Sequence, residues 1–332
     1  MNQFKQPTTM QAITAQAYGG PEVLTLNEIP IPVPGDDDVL VRVHAAAIHH
    51  GDCILLTGEP RFLRLMTGFG KPKQPVPGGD LAGIVEAIGK NVTRFAVGDA
   101  VFGGRDGFTD YGGALAAYCR VPENKLVKKP ENISFEAAAG AGISGTTALA
   151  ALEKGGVAEG QRVLVNGASG GVGTFAVQIA KARGAHVTAV AAGNKHDFLR
   201  KAGADECIDY KTEDYTQRSD KWDLLIDAAC FRPIREGRRA LQRDGQYVVV
   251  GGSDSAPFAA MGMSLWTKLS GGPRVFGLTS ESSPELLGAL AELLASRKIE
   301  TTIDRVYPLA RAAEAFAYAG EGHTKGKVVI TI

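Results

Sequence analysis

The feature that most constrains this chain is a strand pattern, a glycine turn and a helix pattern packed into residues 163–184. Val163, Leu164 and Val165 form a short continuous apolar run, as in a buried strand, while Val172, Phe175, Ile179 and Ala182 recur at helical spacing. Between them Gly167, Gly170 and Gly173 are spaced G-x-x-G-x-x-G. Without side chains at such positions, the backbone can turn sharply and approach a pyrophosphate at the N-terminus of the following helix. Glycines alone would fit any tight turn in an α/β protein. The strand before, the helix after and a second apolar run at 186–191 supply the context of a dinucleotide site.

The next strand end speaks to which nicotinamide is used. An NAD-preferring site carries Asp or Glu there, about 20 residues on, to hold the ribose 2′-hydroxyl. This chain has Ala191-Ala192-Gly193-Asn194-Lys195. With no carboxylate in that stretch to repel a 2′-phosphate and a lysine close by, the segment suits NADP(H). The competing reading is a solvated lysine opening a helix over 195–202.

Two textures divide the chain. Up to about residue 132 it reads as short strands, at 12–18, 39–46, 83–87, 100–103 and 115–121. Gly19-Gly20-Pro21, Pro34-Gly35-Asp36 and Pro77-Gly78-Gly79 break them. From Ser134 apolar runs at Val163, His186, Cys207, Leu224 and Tyr247 alternate with helical patterns, which predicts a doubly wound parallel sheet. A strand after Pro273, a helix at 284–296 and a strand at 327–332 close the chain.

Composition narrows the function classes. The 36 basic and 36 acidic residues balance, so no overall surplus points to nucleic acid or an anionic membrane as partner. No apolar run approaches bilayer length, and residues 1–9 lack the apolar core of a signal peptide, so a cytoplasmic setting is expected. The four cysteines are scattered without C-x-x-C spacing, which argues against a disulfide framework or a zinc knuckle.

Across nearly its whole length the sequence resembles the zinc-independent quinone oxidoreductase (zeta-crystallin-like) branch of the medium-chain dehydrogenase/reductases. The resemblance is carried by Tyr18-Gly19-Gly20-Pro21-Glu22-Val23-Leu24, Val39-Leu40-Val41-Arg42-Val43, Gly83-Ile84-Val85-Glu86-Ala87-Ile88-Gly89 and Val97-Gly98-Asp99-Ala100-Val101-Phe102. Further matches are Asn166 to Gly173, Gly203-Ala204-Asp205 with Ile208-Asp209-Tyr210, and Gly326-Lys327-Val328-Val329-Ile330. It implies an α/β protein: a GroES-like, mainly-β catalytic domain (1–133 and 300–332) and an inserted Rossmann domain with a doubly wound parallel sheet (134–299). It also implies a homodimer, for which 274–278 is a candidate edge strand.

The same resemblance assigns residues. Ser169, Gly170, Gly171 and Val172 of the glycine turn, with Gly251, would line the cofactor; Tyr210 would meet the 2′-phosphate beside Lys195. Ala192 and Asn194 stand where many relatives have Ser and Arg. Thr147 matches a threonine near the nicotinamide, and His323, Thr324 and Lys325 match a tail segment that closes over the cofactor. Each has a plainer reading: a rim aromatic, a helix-start hydroxyl, a solvated loop. Zinc alcohol dehydrogenases of this fold need a thiolate and an imidazole with one open position. His49, Gly79 and the Gly/Ala stretch around Gly140 stand at those places, so no metal is expected. The run His49-His50-Gly51-Asp52-Cys53 holds ligand-capable side chains, but close neighbours in sequence rarely converge on one ion. His49 takes the place of an asparagine beside the nicotinamide, where it could donate to a substrate carbonyl or supply a proton, or simply be satisfied by backbone. Tyr111 is a further candidate catalytic residue.

These readings lead to an NADPH-dependent reductase of quinones or conjugated enones and alkenals, with a small-molecule partner. The alternatives are a zinc-type alcohol dehydrogenase or carbonyl reductase, and a low-turnover NADPH-binding protein.

Overall fold

A computed structural model describes residues 8–105, 113–252, 256–278 and 283–332. Tyr111 lies outside the described residues. The chain forms two compact units, one of Met1–Ile143, Ser282–Ala295 and Ile303–Ile332, the other of Ser144–Glu281 and Ser296–Thr302.

The first unit opens with an antiparallel pair, β1 (Thr9–Ala15) and β2 (Leu24–Pro30). Strand β3 (Asp38–Ile48) follows. Val39, Leu40, Val41 and Val43 are buried and Arg42 exposed, and Ala45 to Ile48 are all buried. A strand covered on both faces carries such a near-continuous apolar run. Helix α1 (His50–Thr57), stopped by Gly58 in the left-handed conformation, and a short α2 (Arg64–Thr67) precede β4 (Asp80–Ile88), β5 (Ala100–Gly104), β6 (Tyr118–Pro122) and β7 (Leu126–Lys128). The strand expected at 115–121 begins only at Tyr118; Leu115 and Ala116 instead join β1 through an Ile13 N–H to Leu115 carbonyl bond and a single bridge to Ala12.

Helix α3 (Phe135–Lys154) leads into a βα series: β8 (Arg162–Asn166), α4 (Gly171–Ala182), β9 (His186–Ala191), α5 (His196–Lys201), β10 (Glu206–Asp209), β11 (Trp222–Asp227), α6 (Ile234–Gly237), β12 (Leu241–Val249), α7 (Ala256–Ser270) and β13 (Arg274–Gly277). The strands pair in parallel in the order β10-β9-β8-β11-β12-β13, the Rossmann order 3-2-1-4-5-6, with the reversal between β8 and β11. Leu164, Val190, Ile208, Trp222, Leu225, Tyr247 and Val275 fill one core cluster. Each large apolar side chain buried there contributes about 1.5–3 kcal/mol. Strand β13 lies at one edge of the sheet.

The chain then forms α8 (Pro284–Ala295), β14 (Ile303–Pro308), α9 (Ala312–Gly320) and β15 (Lys327–Thr331). β15 pairs with β14 in parallel and with β3 in antiparallel fashion, completing a seven-stranded sheet in the order β14-β15-β3-β4-β5-β7, with β6 also on β3. Its register sets Val328 opposite Ile48, and on the other side of β3 Ala47 faces Asp80. The end of β3 is thereby flanked by the starts of β4 and β15, which positions the site described next.

Candidate functional site

In the second unit the glycine turn, Lys195, Tyr210 and Gly251 lie just past the carboxyl ends of parallel strands β8, β9, β10 and β12. Gly167 leaves β8 with φ +74°, and a Cβ there would lie 2.8 Å from that of Ala229. A Cβ on Gly173 would collide with the Gly167 carbonyl, so helix α4 rests directly on the turn. At Gly170, by contrast, the only neighbour a Cβ would meet is that same carbonyl, at 3.6 Å. These are the three glycine roles of a dinucleotide turn: the sharp bend, the open approach and the close helix contact. Gly170 caps α4 without any side-chain hydrogen bond, leaving the helix N-terminus to its own N–H groups. The turn fits a pyrophosphate.

Lys195 is not a solvated lysine. It is buried in a short turn after β9, and its ammonium donates to Ser169 Oγ on the glycine turn at 3.2 Å. Parallel pairing sets Asp209 beside Ala191, so the exposed Tyr210 follows at the same end of the sheet. The same register corrects one expectation. Although 191–195 holds no acid, the Asp209 carboxylate reaches Gly193: a Cβ on that glycine would lie 2.6 Å from Oδ2. Its other oxygen accepts the Lys211 N–H at 2.9 Å. Gly251 lies just past β12, where its carbonyl accepts the Cys230 N–H, and Thr147 is buried on α3.

Beneath these residues sits a network that the sequence did not announce. Asp227, buried at the end of β11, accepts from Asn166 Nδ2 (2.8 Å), the Ala229 N–H (3.1 Å) and the Tyr247 hydroxyl (2.6 Å). Burial pushes its carboxyl above the ordinary range, against these hydrogen bonds. Burial likewise pushes the neighbouring Cys230 thiol up to about 12.

In the first unit His49 caps α1. Its Nδ1 accepts the Gly51 N–H at 2.9 Å, and the Asp52 carboxylate accepts the His49 N–H at 2.7 Å. With Nδ1 engaged as acceptor, the neutral ring carries its hydrogen on Nε2, which lies 3.8 Å from Asp52 Oδ2. Asp52 is buried and His50 exposed, so the helix turns this ligand-capable run in different directions; burial, then Asp52, pushes the Cys53 thiol up to about 12. Asp80 is fully buried. It accepts the Ile143 N–H at 2.6 Å and pairs with the buried Lys327 ammonium at 3.2 Å. Burial raises its carboxyl, while Lys327 and His49 oppose that rise. His323 and Lys325 are exposed in the turn before β15, the first 3.9 Å from Glu321, the second donating its N–H to Asp304; Thr324 between them is partly buried.

Among the described residues no group of three or more His, Cys, Asp or Glu side chains is placed to hold a metal ion. The donor set there does not fit a tetrahedral zinc. Nor, among those residues, is any helix long and apolar enough to cross a membrane.

Comparison with known proteins gives a consistent family. Residues 35–131 match the alcohol dehydrogenase GroES-like domain, and residues 202–330 match a domain described as zinc-binding dehydrogenase. A chloroplast quinone oxidoreductase from Triphysaria versicolor is 34% identical over 97% of this chain and 98% of its own. The quinone oxidoreductase of Sus scrofa is 32% identical over 92% of both chains. An NADPH-dependent alkenal/one oxidoreductase from Arabidopsis thaliana is 31% identical over 98% of this chain and 80% of its own. Among solved structures, the quinone oxidoreductase from Coxiella burnetii superposes with a TM-score of 0.88 at 30% identity, covering 98% and 99% of the two chains.

Proposed function

The chain belongs to the quinone oxidoreductase branch of the medium-chain dehydrogenase/reductase superfamily, pyridine-nucleotide-dependent oxidoreductases, and from that premise we propose that it uses NADPH to reduce a quinone or a conjugated enone or alkenal without a metal. The observation that carries the cofactor reading is the buried Lys195 ammonium beside Ser169, on a glycine turn left open at Gly170. Lys195 and Tyr210 bind the 2′-phosphate; Ser169, Gly170, Gly171 and Val172 hold the pyrophosphate. Thr147, Gly251 and His323, Thr324 and Lys325 complete the cofactor contacts. Asp209, close to Gly193, moderates the preference, because its charge opposes a second anion there.

When bound, the reduced nicotinamide supplies a hydride. His49 has the task of donating a hydrogen bond from Nε2 to the oxygen on which negative charge then develops. The Gly51 N–H donated to Nδ1 fixes the ring in advance, while the His49 N–H bond to Asp52 fixes the backbone that carries it, and such preorganisation is where a donor gains its effect. A proton from solvent or Tyr111 completes the reduction.

Titration calorimetry on Lys195→Ala tests the cofactor assignment. NADPH affinity should fall about tenfold or more, as for loss of a charge-assisted hydrogen bond, with NADH nearly unchanged. Equal loss for both, or a wild-type preference for NADH, overturns it. His49→Ala should lower kcat for a quinone or enone more than it weakens NADPH, and the wild-type activity should survive chelation. Stoichiometric zinc, with alcohol oxidation lost on chelation, would replace this reading with the alcohol dehydrogenase one. We further propose a homodimer paired through β13; a single-chain mass by light scattering would refute it.

A further inference from the structure

The first unit carries an apolar face turned outward. After α1, residues 61–67 make two short helical turns, of which Leu63 and Thr67 are buried. The face that would ordinarily be polar instead holds Phe62, Leu65 and Met66, exposed by 54%, 76% and 45%, and Phe69 just beyond is exposed by 91%. Four large apolar side chains on one short segment exceed the scattered exposure normal for a protein surface.

The segment is anchored from below. The Tyr18 hydroxyl lies 2.8 Å from Thr67 Oγ1 and donates to the Gly68 carbonyl at 2.8 Å. The Arg64 guanidinium stacks over the Tyr18 ring at 4.6 Å and donates to the carbonyls of Gly58 and Thr57. The Lys73 N–H returns to the Thr67 carbonyl at 2.7 Å, closing the loop that carries Phe69. These bonds hold the base of the segment in place while its apolar side chains face outward.

Charge selects the occupant. From Pro60 to Lys73 there are four cations, Arg61, Arg64, Lys71 and Lys73, and no acid. The preceding Glu59 lies within 3.6 Å of Arg61 and 3.4 Å of Arg64, which leaves the exposed Lys71 and Lys73 beside Phe69 as the cationic side of the patch. The zero net charge of the whole chain conceals this local surplus. Aromatic and aliphatic side chains flanked on one side by two lysines match the interface of an anionic bilayer, where apolar groups enter the headgroup boundary and ammonium groups meet lipid phosphates. We propose that residues 61–73 are a docking surface for anionic lipid membranes, bringing the protein to apolar molecules dissolved there. This inference does not depend on which cofactor or substrate the protein uses.

The full-length protein is sedimented with vesicles of phosphatidylglycerol or of phosphatidylcholine. Binding is expected to phosphatidylglycerol alone and to weaken as salt is raised, since screening cuts the lysine contribution. Leu65→Ser with Phe69→Ser should lower the bound fraction about tenfold, and Lys71→Gln with Lys73→Gln should lower it and flatten the salt dependence. Because the four side chains substituted face solvent, thermal melting should stay close to wild type. Three results overturn the proposal. One is no binding to phosphatidylglycerol vesicles. Another is unchanged binding in the Leu65/Phe69 variant with a raised KM for a water-soluble substrate, which would make the face a substrate wall. The third is a solution dimer that Phe69→Ser dissociates, which would make it a contact between copies.

Discussion

Asp80 and Asp227 are both buried carboxylates at the end of a strand, one in each unit, and they are satisfied in opposite ways. Asp80 meets a full countercharge, the buried Lys327 ammonium, plus one backbone N–H. Asp227 is held by hydrogen bonds instead, from two side-chain donors and one N–H. The ion pair joins residues 247 positions apart and fastens β15 to the sheet beside His49. The hydrogen-bond network of Asp227 joins β8, β11 and β12 beneath the glycine turn. Burial alone therefore does not dictate an ion pair. Where a carboxylate ties distant segments a charge is used, and where three adjacent strand ends converge, local hydrogen bonds suffice.

Breaking the ion pair should produce the larger effect. Lys327→Met leaves Asp80 buried without its countercharge, a loss of about 3–5 kcal/mol by urea unfolding near neutral pH. Burial already pushes the Asp80 carboxyl up, and removing the ammonium pushes it further. The folded variant then ionises at a higher pH than the folded wild type, so the deficit should grow as pH rises through the interval between those two and shrink on acidification. A deficit independent of pH would mean that packing, not charge, dominates at this site.

The two sites also differ in how far the sequence discloses them. The glycine turn was legible because its requirements are local: a bend, an approach and a helix contact within seven positions, between a strand and a helix. The alternating βα order foretold the parallel sheet for the same reason. Lys195 was legible by position but not by environment, since nothing in its neighbours says that it folds back onto Ser169. Asp209 was overlooked as a neighbour of Gly193 because only strand register brings them together. Likewise Asp80 and Lys327 read as unremarkable strand-end residues until β3 places them on either side of His49. The pattern of β2 was missed because most of its side chains are exposed and carry no core periodicity. The outward face at 62–69 has the spacing of an ordinary amphipathic helix, and spacing does not say which way a face points.

The smallest expected effect lies at Asp227 and sharpens the contrast. Asp227→Asn removes the charge but keeps the shape. Its carbonyl oxygen can take the place of Oδ1, accepting from Asn166 Nδ2 and the Ala229 N–H, while its amide donates to the Tyr247 oxygen. The Tyr247 hydroxyl hydrogen then turns toward Cys230 Sγ, 3.6 Å away. Every buried group retains a partner, so the loss should be about 1 kcal/mol, the scale of one altered hydrogen bond rather than of an orphaned charge. Alkylation supplies a second readout. In the wild-type protein burial holds the Cys230 thiol up at about 12, and the residue is almost fully covered, so it should label only on unfolding. An intact network in Asp227→Asn would keep it protected. Rapid labelling of Cys230 in the folded variant, or a stability loss as large as that of Lys327→Met, would show that Asp227 works as a charge after all, and the distinction between the two carboxylates would fail.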